Sequence, residues 1–445
     1  MVAEKVHIKE IVGGRFDNSF VLYHHKTSNY KYPVSPLFRF LIEKPQYGAG
    51  EAGVPRNDDY SPRYIRITDI DENGLLIDGL GVTAKNVEEK YILQDNDILI
   101  ARSGNTVGKS YIHKEKSINY TCFFASYMIR FVVDRNAILP DYVFLFTKLS
   151  VYSDWVKVTQ RVTGQPNINA DEYSRLPIPV PLLDIQQEIV KIYMGAQSTR
   201  FKKIQESKHL LYSIDNYLLE ILQIAKQTDT DKSKPSVIQN ISSIIGGRFD
   251  PIQFHSERTE MIERIKKGKW CRLKDVVDNV KTIVSSISKD DTYIGLENID
   301  GETGEYVPMK EKESISSAVH FKKGDILFPK LRPYLNKVYR AEFDGCCSTE
   351  FHIFQAHNIH PDFLTIVLRS NMVLAQTKHL MTGNTLPRLQ TTDIGNIIIP
   401  YPDMELQEKI VVEVFNTKNT AKLFQKEGNA LIEVAKQKIE KIIIG

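Results

Sequence analysis

The chain is poor in cysteine and has no long apolar run. Its four cysteines, at positions 122, 271, 346 and 347, match neither a zinc-ligand spacing nor a disulfide framework. No stretch approaches the roughly 18 apolar residues of a membrane span, and the start lacks the apolar run of a signal peptide. We therefore expect reduced, buried thiols, no membrane span and a cytoplasmic protein.

An excess of charge of one sign is also missing. The 58 lysines and arginines nearly balance the 55 acidic residues, which leaves a formal net charge of +3. Any nucleic-acid surface must then come from the local placement of basic side chains rather than from global charge. The 445 residues supply enough material for two or three cores.

Motifs of catalysis, nucleotide binding and metal binding are absent. Residues 103–110 approach a phosphate-binding loop, but Ser103 stands where that loop requires glycine. Asp403 and Glu408 superficially resemble part of a nuclease core, and a helix cap explains Asp403 better. Five histidines lack Cys or carboxylate companions at metal-ligand spacing: His24, His25, His352, His357 and His360. We predict no catalytic residue, no metal site and no cofactor bound by this chain.

What the chain does contain is an internal repeat. Residues 13–17, Gly-Gly-Arg-Phe-Asp, return at 246–250, and the Ile-Pro-Val-Pro of 178–181 returns as Ile-Pro-Tyr-Pro at 399–402. The offset drifts only from about 233 to about 220 residues, so each copy is a whole domain with a helix, far longer than a solenoid repeat. A duplicated domain suits a partner of approximate two-fold symmetry, and duplex DNA is the commonest one.

Each copy begins with short apolar stretches separated by Gly, Pro, Asn and Asp, a pattern that predicts strands. The predicted strands are 64–70, 91–101 and 127–133 in the first copy and 292–299, 325–329 and 351–355 in the second. The mixture predicts an α+β domain of about 150 to 165 residues with an irregular sheet, and excludes a doubly wound nucleotide fold.

Each copy ends in a long helical pattern. Residues 184 to about 226 contain no Pro, only Gly195, and apolar residues at heptad spacing, and residues 405 to about 443 repeat the pattern. At 1.5 Å per residue such helices would be roughly 60 Å long, and a lone helix of that length needs a partner. The two helices can pair with each other. Alternatively, each packs on its own domain, or the chain dimerises through them.

These patterns divide the chain into five segments. They are a first domain 1–181, a first long helix 182–226, a linker 227–244, a second domain 245–402 and a second long helix 403–445.

Several loops carry the side chains that read DNA. Lys, Ser and Thr contact phosphates, Arg makes bidentate contacts with guanine, and Asn or Gln with adenine. Singly, each such residue is more often a solvated surface residue, but their recurrence at one place in a duplicated domain favours a DNA-binding role. The candidate DNA-binding residues are Arg63, Arg66, Arg102, Ser103, Asn105, Thr106, Lys109, Arg161, Gln165, Asn167, Lys330, Arg332, Tyr334, Asn336, Lys337, Asn384 and Arg388.

The ordered motifs resemble those of a known family. Segment 97–109, loop 163–168 and the junction 178–190 resemble the specificity subunits of type I DNA restriction-modification enzymes, and the resemblance extends over both copies. It implies two target-recognition domains, each reading one half of a split DNA sequence, and two long antiparallel helices that separate them as a ruler. The loops of the two copies differ, so we expect the two half-sites to differ and the target to be asymmetric.

The resemblance also implies partners that do the chemistry. Two modification subunits would supply S-adenosylmethionine-dependent adenine methylation, and restriction subunits with motor and nuclease activity would use ATP and Mg²⁺. None of these activities would reside in this chain. Two alternatives stay open: a specificity chain whose partner fuses nuclease and methyltransferase, and a scaffold whose paired helices organise protein partners without DNA.

Overall fold

The computed structural model describes most of the chain and divides it into two compact units. The described residues are Tyr23, Thr27, 30–160, 165–224, 254–280, 282–284, 292–308, 317–383 and 386–445. The first unit comprises Met1–Lys202 and Glu427–Gly445, and the second comprises Lys203–Lys426. Three predicted features lie outside the described residues: the repeated motif at 13–17 and 246–250, and the whole linker 227–244. Within the described ranges, no helix combines the length and the apolar character that crossing a membrane would require.

The described part of the first unit contains ten short strands and three short α-helices, besides its portions of the long helices given below. The strands are β1 Val34–Pro36, β2 Gln46–Tyr47, β3 Gly53–Pro55, β4 Arg63–Ile65, β5 Val82–Ala84, β6 Ile98–Ala101, β7 Ser110–Ile112, β8 Cys122–Phe124, β9 Met128–Phe131 and β10 Pro177–Pro179. The helices are α1 Pro140–Phe146, α2 Ser150–Thr159 and α3 Ala170–Ser174. The central sheet has the antiparallel order β2-β9-β6-β7, and β1 pairs with β10.

The second unit repeats this layout. Its strands are β11 Trp270–Arg272, β12 Val277–Val280, β13 Ile283–Val284, β14 Tyr293–Ile294, β15 Ala318–Phe321, β16 Ile326–Pro329, β17 Tyr339–Arg340, β18 Gly345–Cys347, β19 Phe351–Ala356 and β20 Ile398–Pro400. After the long helix α4 Leu183–Ile221, its short helices are α5 Ser256–Lys266, α6 Pro361–Arg369, α7 Asn371–Thr377 and α8 Thr391–Gly395. The sheet β12-β19-β16-β17 and the pair β11-β20 reproduce the sheet order of the first unit, so the sequence repeat is a structural repeat.

Two helices are much longer than the others: α4 spans Leu183–Ile221 and α9 spans Met404–Ile444. In the first unit Arg200 Nε donates to Asn429 Oδ1 at 3.0 Å, and in the second the Lys203 ammonium lies 5.1 Å from the centre of the Phe424 ring. The residue contacted in α9 moves back along the chain as the residue in α4 moves forward, so the two helices pair in antiparallel order. The predicted α+β fold class with paired long helices is confirmed, while the exact domain limits stay a prediction.

The long helices also pack on the globular cores. Ile189 and Tyr193 of α4 lie in the core of the first unit, together with Ile432 and Ile439 of α9. Leu218 of α4 belongs to the core of the second unit. Pairing of the helices and packing on a domain, which the sequence offered as alternatives, therefore occur together, because each helix has more than one apolar face to bury.

The predicted strands were too long in several places. The strand predicted over 64–70 ends at Ile65, and a 3₁₀ turn, Ile67–Asp69, follows. The Asp69 carboxylate accepts the Arg66 backbone N–H at 2.9 Å, and such a side-chain bond competes with a strand ladder. The strand predicted over 292–299 likewise ends at Ile294, before a similar turn capped by Asn298.

Candidate nucleic-acid interface

In the first domain two loops that are far apart in the sequence lie side by side. We call them the first loop pair: residues 102–109, between β6 and β7, and residues 165–168. Ser103 and Asn167 form an antiparallel bridge, and the Gly104 N–H donates to the Pro166 carbonyl at 3.0 Å. The two candidate reading segments therefore form one surface at the end of β6.

The second domain contains the same arrangement. We call it the second loop pair: residues 330–337, between β16 and β17, and residues 386–389. Leu331 and Arg388 form the antiparallel bridge, and the Arg332 N–H donates to the Pro387 carbonyl at 2.9 Å. The backbone hydrogen bonds thus repeat those of the first loop pair.

The matching hydrogen bonds show which residues correspond. The Arg102 N–H donates to the Tyr127 carbonyl at 2.9 Å, and the Lys330 N–H donates to the Glu350 carbonyl at 2.8 Å. Lys330 is therefore the counterpart of Arg102, and Glu350 of Tyr127. Counting along the loops gives the other pairs: Ser103 with Leu331, Gly104 with Arg332, Gly108 with Asn336, Lys109 with Lys337, and Asn167 with Arg388.

Both loops turn through left-handed backbone at corresponding positions. In the first loop these are Gly104 and Gly108, with φ of 78° and 88°; in the second they are Arg332 and Asn336, with φ of 48° and 53°. Glycine adopts this conformation without steric cost, whereas a residue such as arginine loses about 1 kcal/mol there. Strained residues of this kind concentrate at functional sites, and the second domain uses one to place an exposed arginine where the first has no side chain.

A partly buried basic side chain lies behind each loop. In the first domain Lys148, just after α1, donates from Nζ to the Ser110 carbonyl at 2.9 Å. Burial lowers the pKa of Lys148 to about 7. Sequence reasoning missed this residue, although its position relative to the prolines that begin α1 and α6 matches that of Arg369 in the second domain.

Arg369 plays the corresponding part with more bonds. Its Nη1 donates to the Asn336 and Val338 carbonyls at 2.8 and 3.1 Å, and its Nη2 to the Gly301 and Glu302 carbonyls at 3.1 and 3.0 Å. Burial lowers its pKa to about 10, so it stays protonated at neutral pH. Arg369 therefore ties the loop to the neighbouring turn at 300–305.

Other predicted residues of the first loop pair are well placed. Asn105 and Gln165 are exposed, and Ser103, Thr106 and Asn167 are partly exposed. The Arg102 guanidinium lies 4.9 Å from the centre of the Tyr47 ring. That contact limits the motion of the arginine, as a reading side chain requires.

Arg63 and Arg66 are placed differently. Arg63 is 4% exposed, and it donates to the Tyr120 hydroxyl and the Ile77 carbonyl, each at 2.9 Å. Arg66 makes a two-pronged pair with Asp69, with both bonds at 2.9 Å. Both side chains are engaged in holding the fold, so we leave them out of the proposed interface. Two further candidates, Arg161 and Asn384, lie outside the described residues.

The two corresponding lysines are bonded to their own domains. Lys109 Nζ lies 3.2 Å from Glu72 Oε1, and the lysine side chain is 14% exposed. Lys337 Nζ donates to the Leu296 carbonyl at 2.8 Å. Their contact with phosphate stays a prediction, and these bonds give both of them a role in anchoring the loops.

Tyr334 and Arg388 are exposed on the second loop pair. The Tyr334 ring is 45% exposed. Arg388 forms a two-pronged ion pair with Glu350, Nε to Oε2 at 3.0 Å and Nη2 to Oε1 at 2.7 Å. The hydrogen bond from Arg388 lowers the pKa of Glu350, so the carboxylate is ionised at neutral pH.

One cluster of potential metal ligands lies outside the loop pairs. The ligand atoms of His255, Glu257 and His379 lie within 4.8 Å of one another. However, the Lys378 ammonium lies 2.6 Å from one Glu257 oxygen, and His379 Nε2 lies 3.1 Å from the other. The lysine charge opposes a cation at this place, and the local ion pairs account for the cluster. Sequence spacing gave no signal for it, because the two histidines are distant in the chain.

Comparison with known proteins identifies the family. The sequence profile described as "Type I restriction modification DNA specificity domain" matches residues 56–210 and, a second time, residues 264–434. Each match contains one whole loop pair and all or most of the central sheet of that domain. Together the matches span well over half of the chain.

Individual relatives agree with this profile. The specificity subunit of the type I restriction enzyme MjaVIII of Methanocaldococcus jannaschii is 24% identical over 377 residues, which cover 82% of each chain. The specificity subunit of the type I restriction enzyme EcoDI of Escherichia coli is 24% identical over 327 residues, which cover 71% of each chain. A chain from a solved structure of the type I R-M system is 13% identical, covers 93% of this chain and 98% of its own, and has a TM-score of 0.49. With both copies of its repeat matched by the family profile, this chain belongs to the type I restriction-modification DNA specificity family.

Proposed function

We propose that each domain reads one half of a bipartite double-stranded DNA target through its loop pair. The observation that carries the proposal is that one backbone arrangement occurs twice and bears different polar side chains at corresponding positions. A shared scaffold with variable side chains is what sequence reading requires, because the scaffold positions the protein and the side chains select bases. The non-DNA scaffold considered above would have no use for this variation.

The side chains available at each loop pair suit different bases. In the first, Arg102 suits guanine, and Asn105, Gln165 and Asn167 offer amides that pair with adenine. In the second, Arg332 and Arg388 suit guanine, and the exposed Tyr334 ring offers an apolar surface for a thymine methyl group or a sugar. The two half-sites should therefore differ, and the target should be asymmetric.

The chemistry would reside in partner subunits. The relatives named above are specificity subunits of restriction enzymes, and on that basis we propose that this chain is non-catalytic and assembles with modification and restriction subunits. The modification subunits would use S-adenosylmethionine to methylate adenine, and the restriction subunits would use ATP and Mg²⁺. A partner that fuses nuclease and methyltransferase would be told apart by the polypeptides that co-purify with the chain.

Salt dependence of DNA binding tests the proposal. The full chain with its modification partner is titrated with a 40-base-pair duplex pool of random sequence between 50 and 200 mM salt. Neutralisation of several phosphates should make the logarithm of affinity fall linearly with the logarithm of salt concentration. An affinity that does not change with salt would contradict DNA binding. Methylated adenines mapped in the source genome should then lie in a split, asymmetric sequence.

A further inference from the structure

Arg388 of the second loop pair forms an ion pair with Glu350, and no charged pair stands at the corresponding positions of the first domain. Arg388 and Glu350 occupy positions that hold Asn167 and Tyr127 in the first domain. The arginine side chain is 45% exposed and the glutamate side chain 27%. The family match covers both domains, so it does not explain why an acidic residue, which repels DNA phosphates, stands at this position in the second domain alone.

The geometry of the pair leaves one edge of the arginine available. Arg388 uses Nε and Nη2 for the two oxygens of Glu350. A guanidinium has five N–H donors, so this side-on contact uses two of them and leaves the Nη1 donors and one Nη2 donor at the tip. The tip of an arginine is suited to a bidentate contact with guanine O6 and N7.

Both ends of the pair are fixed by the backbone. Arg388 exchanges two backbone hydrogen bonds with Thr382, each 2.9 Å long. The Glu350 N–H donates to the Ser348 hydroxyl at 3.2 Å, and its carbonyl accepts from Lys330. The guanidinium is therefore held in one direction before any ligand arrives, which reduces the entropy lost on binding.

The charges of the pair favour a base over a phosphate. Arg388 and Glu350 together have no net charge, and a phosphate at the arginine would lie close to the ionised carboxylate. A guanine edge is neutral and avoids that repulsion. We propose that Glu350 is a positioning residue that directs Arg388 to a base edge and away from phosphate. This inference rests on the function proposed above.

The test compares conservative variants of the full chain with its modification partner. Glu350→Gln removes the charge but keeps the shape, Arg388→Gln removes the reader, and a double variant removes both. Glu88→Gln is the matched control, since Glu88 forms an exposed ion pair with Lys90 at 2.6 Å and its loss changes net charge equally. Binding to the random 40-base-pair pool is measured against salt, and sequencing of the bound fraction gives the base preference at each position.

Release of Arg388 from Glu350 should raise the affinity for the random pool and lower the base preference. For Glu350→Gln we expect affinity for the pool to rise about fivefold at low salt, with a slope steeper by about one phosphate contact. Preference at one base pair of one half-site should fall about tenfold. Arg388→Gln should lose the same preference without a steeper slope, and the double variant should match Arg388→Gln in base preference. Glu88→Gln should behave as the wild type does.

Two results would overturn the proposal. One is that Glu350→Gln weakens binding to all sequences without a change of slope, which is the result of a purely structural role. The other is that Glu350→Gln keeps both the slope and the base preference of the wild type. Thermal unfolding of each variant shows whether it folds as the wild type does. Salt-insensitive binding by the wild type would instead refute the proposed function itself, so the two failures are distinguishable.

Discussion

The two loop pairs have the same backbone and achieve it with different residues. The first turns at Gly104 and Gly108, and the second turns at Arg332 and Asn336 with the same sign of φ. The first is supported by a lysine that makes one carbonyl contact, and the second by an arginine that makes four. The second loop thus has backbone strain at Arg332 and Asn336, and the four hydrogen bonds of Arg369 can offset its energetic cost. The scaffold is preserved while the reading surface changes.

The largest expected effect is a difference between Arg369 and Lys148 in how much each side chain contributes to the free energy of unfolding of its own unit. Arg369→Met leaves four carbonyl acceptors without their donor and should lower the free energy of unfolding of the second unit by about 3 kcal/mol. Lys148→Met removes one contact from a lysine that is costly to keep charged, so the loss in the first unit should stay below about 1 kcal/mol. Urea unfolding, followed by hydrogen exchange of peptides from each unit, measures both. Equal losses of unfolding free energy in the two variants would show that Arg369 and Lys148 stabilise their loops equally.

The reading side chains should act on separate half-sites. Arg102→Ala should reduce discrimination at one base pair of one half-site by about 2 kcal/mol, within the usual range of 1 to 3. Arg332→Gly, which replaces a strained residue with one that accepts left-handed backbone, should affect the other half-site alone. Selection from a random duplex pool gives both profiles, and Arg135→Ala is an exposed control. If matched and mismatched sites weaken equally, the arginines contact phosphate.

The left-handed turns should tolerate substitution unequally. A Cβ at Gly108 would lie 2.8 Å from Val156 Cγ2, and φ there is 88°, so Gly108→Ala should destabilise the first unit by about 1.5 kcal/mol. Asn336→Gly loses one hydrogen bond to the Arg369 carbonyl and relieves strain, so we expect a change below about 0.5 kcal/mol. The urea midpoints of the two variants measure both changes. A larger loss for Asn336→Gly than for Gly108→Ala would contradict the proposed correspondence of these two positions.

The last prediction is a pH dependence of the stability of the first unit that comes from Lys148. Burial lowers the pKa of Lys148 from 10.5 to about 7, so between these values the unfolded chain binds a proton that the folded chain does not. Stability therefore rises with pH in that window, by at most about 1.4 kcal/mol per unit. From pH 7.5 to 8.5 the wild type should gain about 1 kcal/mol more than Lys148→Met. Burial also lowers the pKa of Lys418 to about 8. Its contribution to the increase of stability with pH is the same in the wild type and in Lys148→Met. Parallel pH profiles would show that Lys148 is ordinarily protonated.

The periodic and repeated features were predictable from the sequence. The long helices α4 and α9 were recognised because heptad spacing is a local property that survives packing. The strands were predicted less well, since a single cap at Asp69 converts an extended pattern into a turn. The fold class, the internal duplication and the family all follow from ordered motifs along the chain.

The sequence alone identified the segments whose polar side chains could contact bases. Contacts between segments distant in the chain decided which of these residues lie together. The bridge from Ser103 to Asn167, the Arg388–Glu350 pair and the supports at Lys148 and Arg369 each join residues distant in the chain. Such contacts depend on the sheet register and on burial, which a sequence pattern does not record. Arg63 is likewise buried and bonded within its own domain, so it is not part of the reading surface. The sequence does not distinguish such an arginine from one whose guanidinium binds DNA.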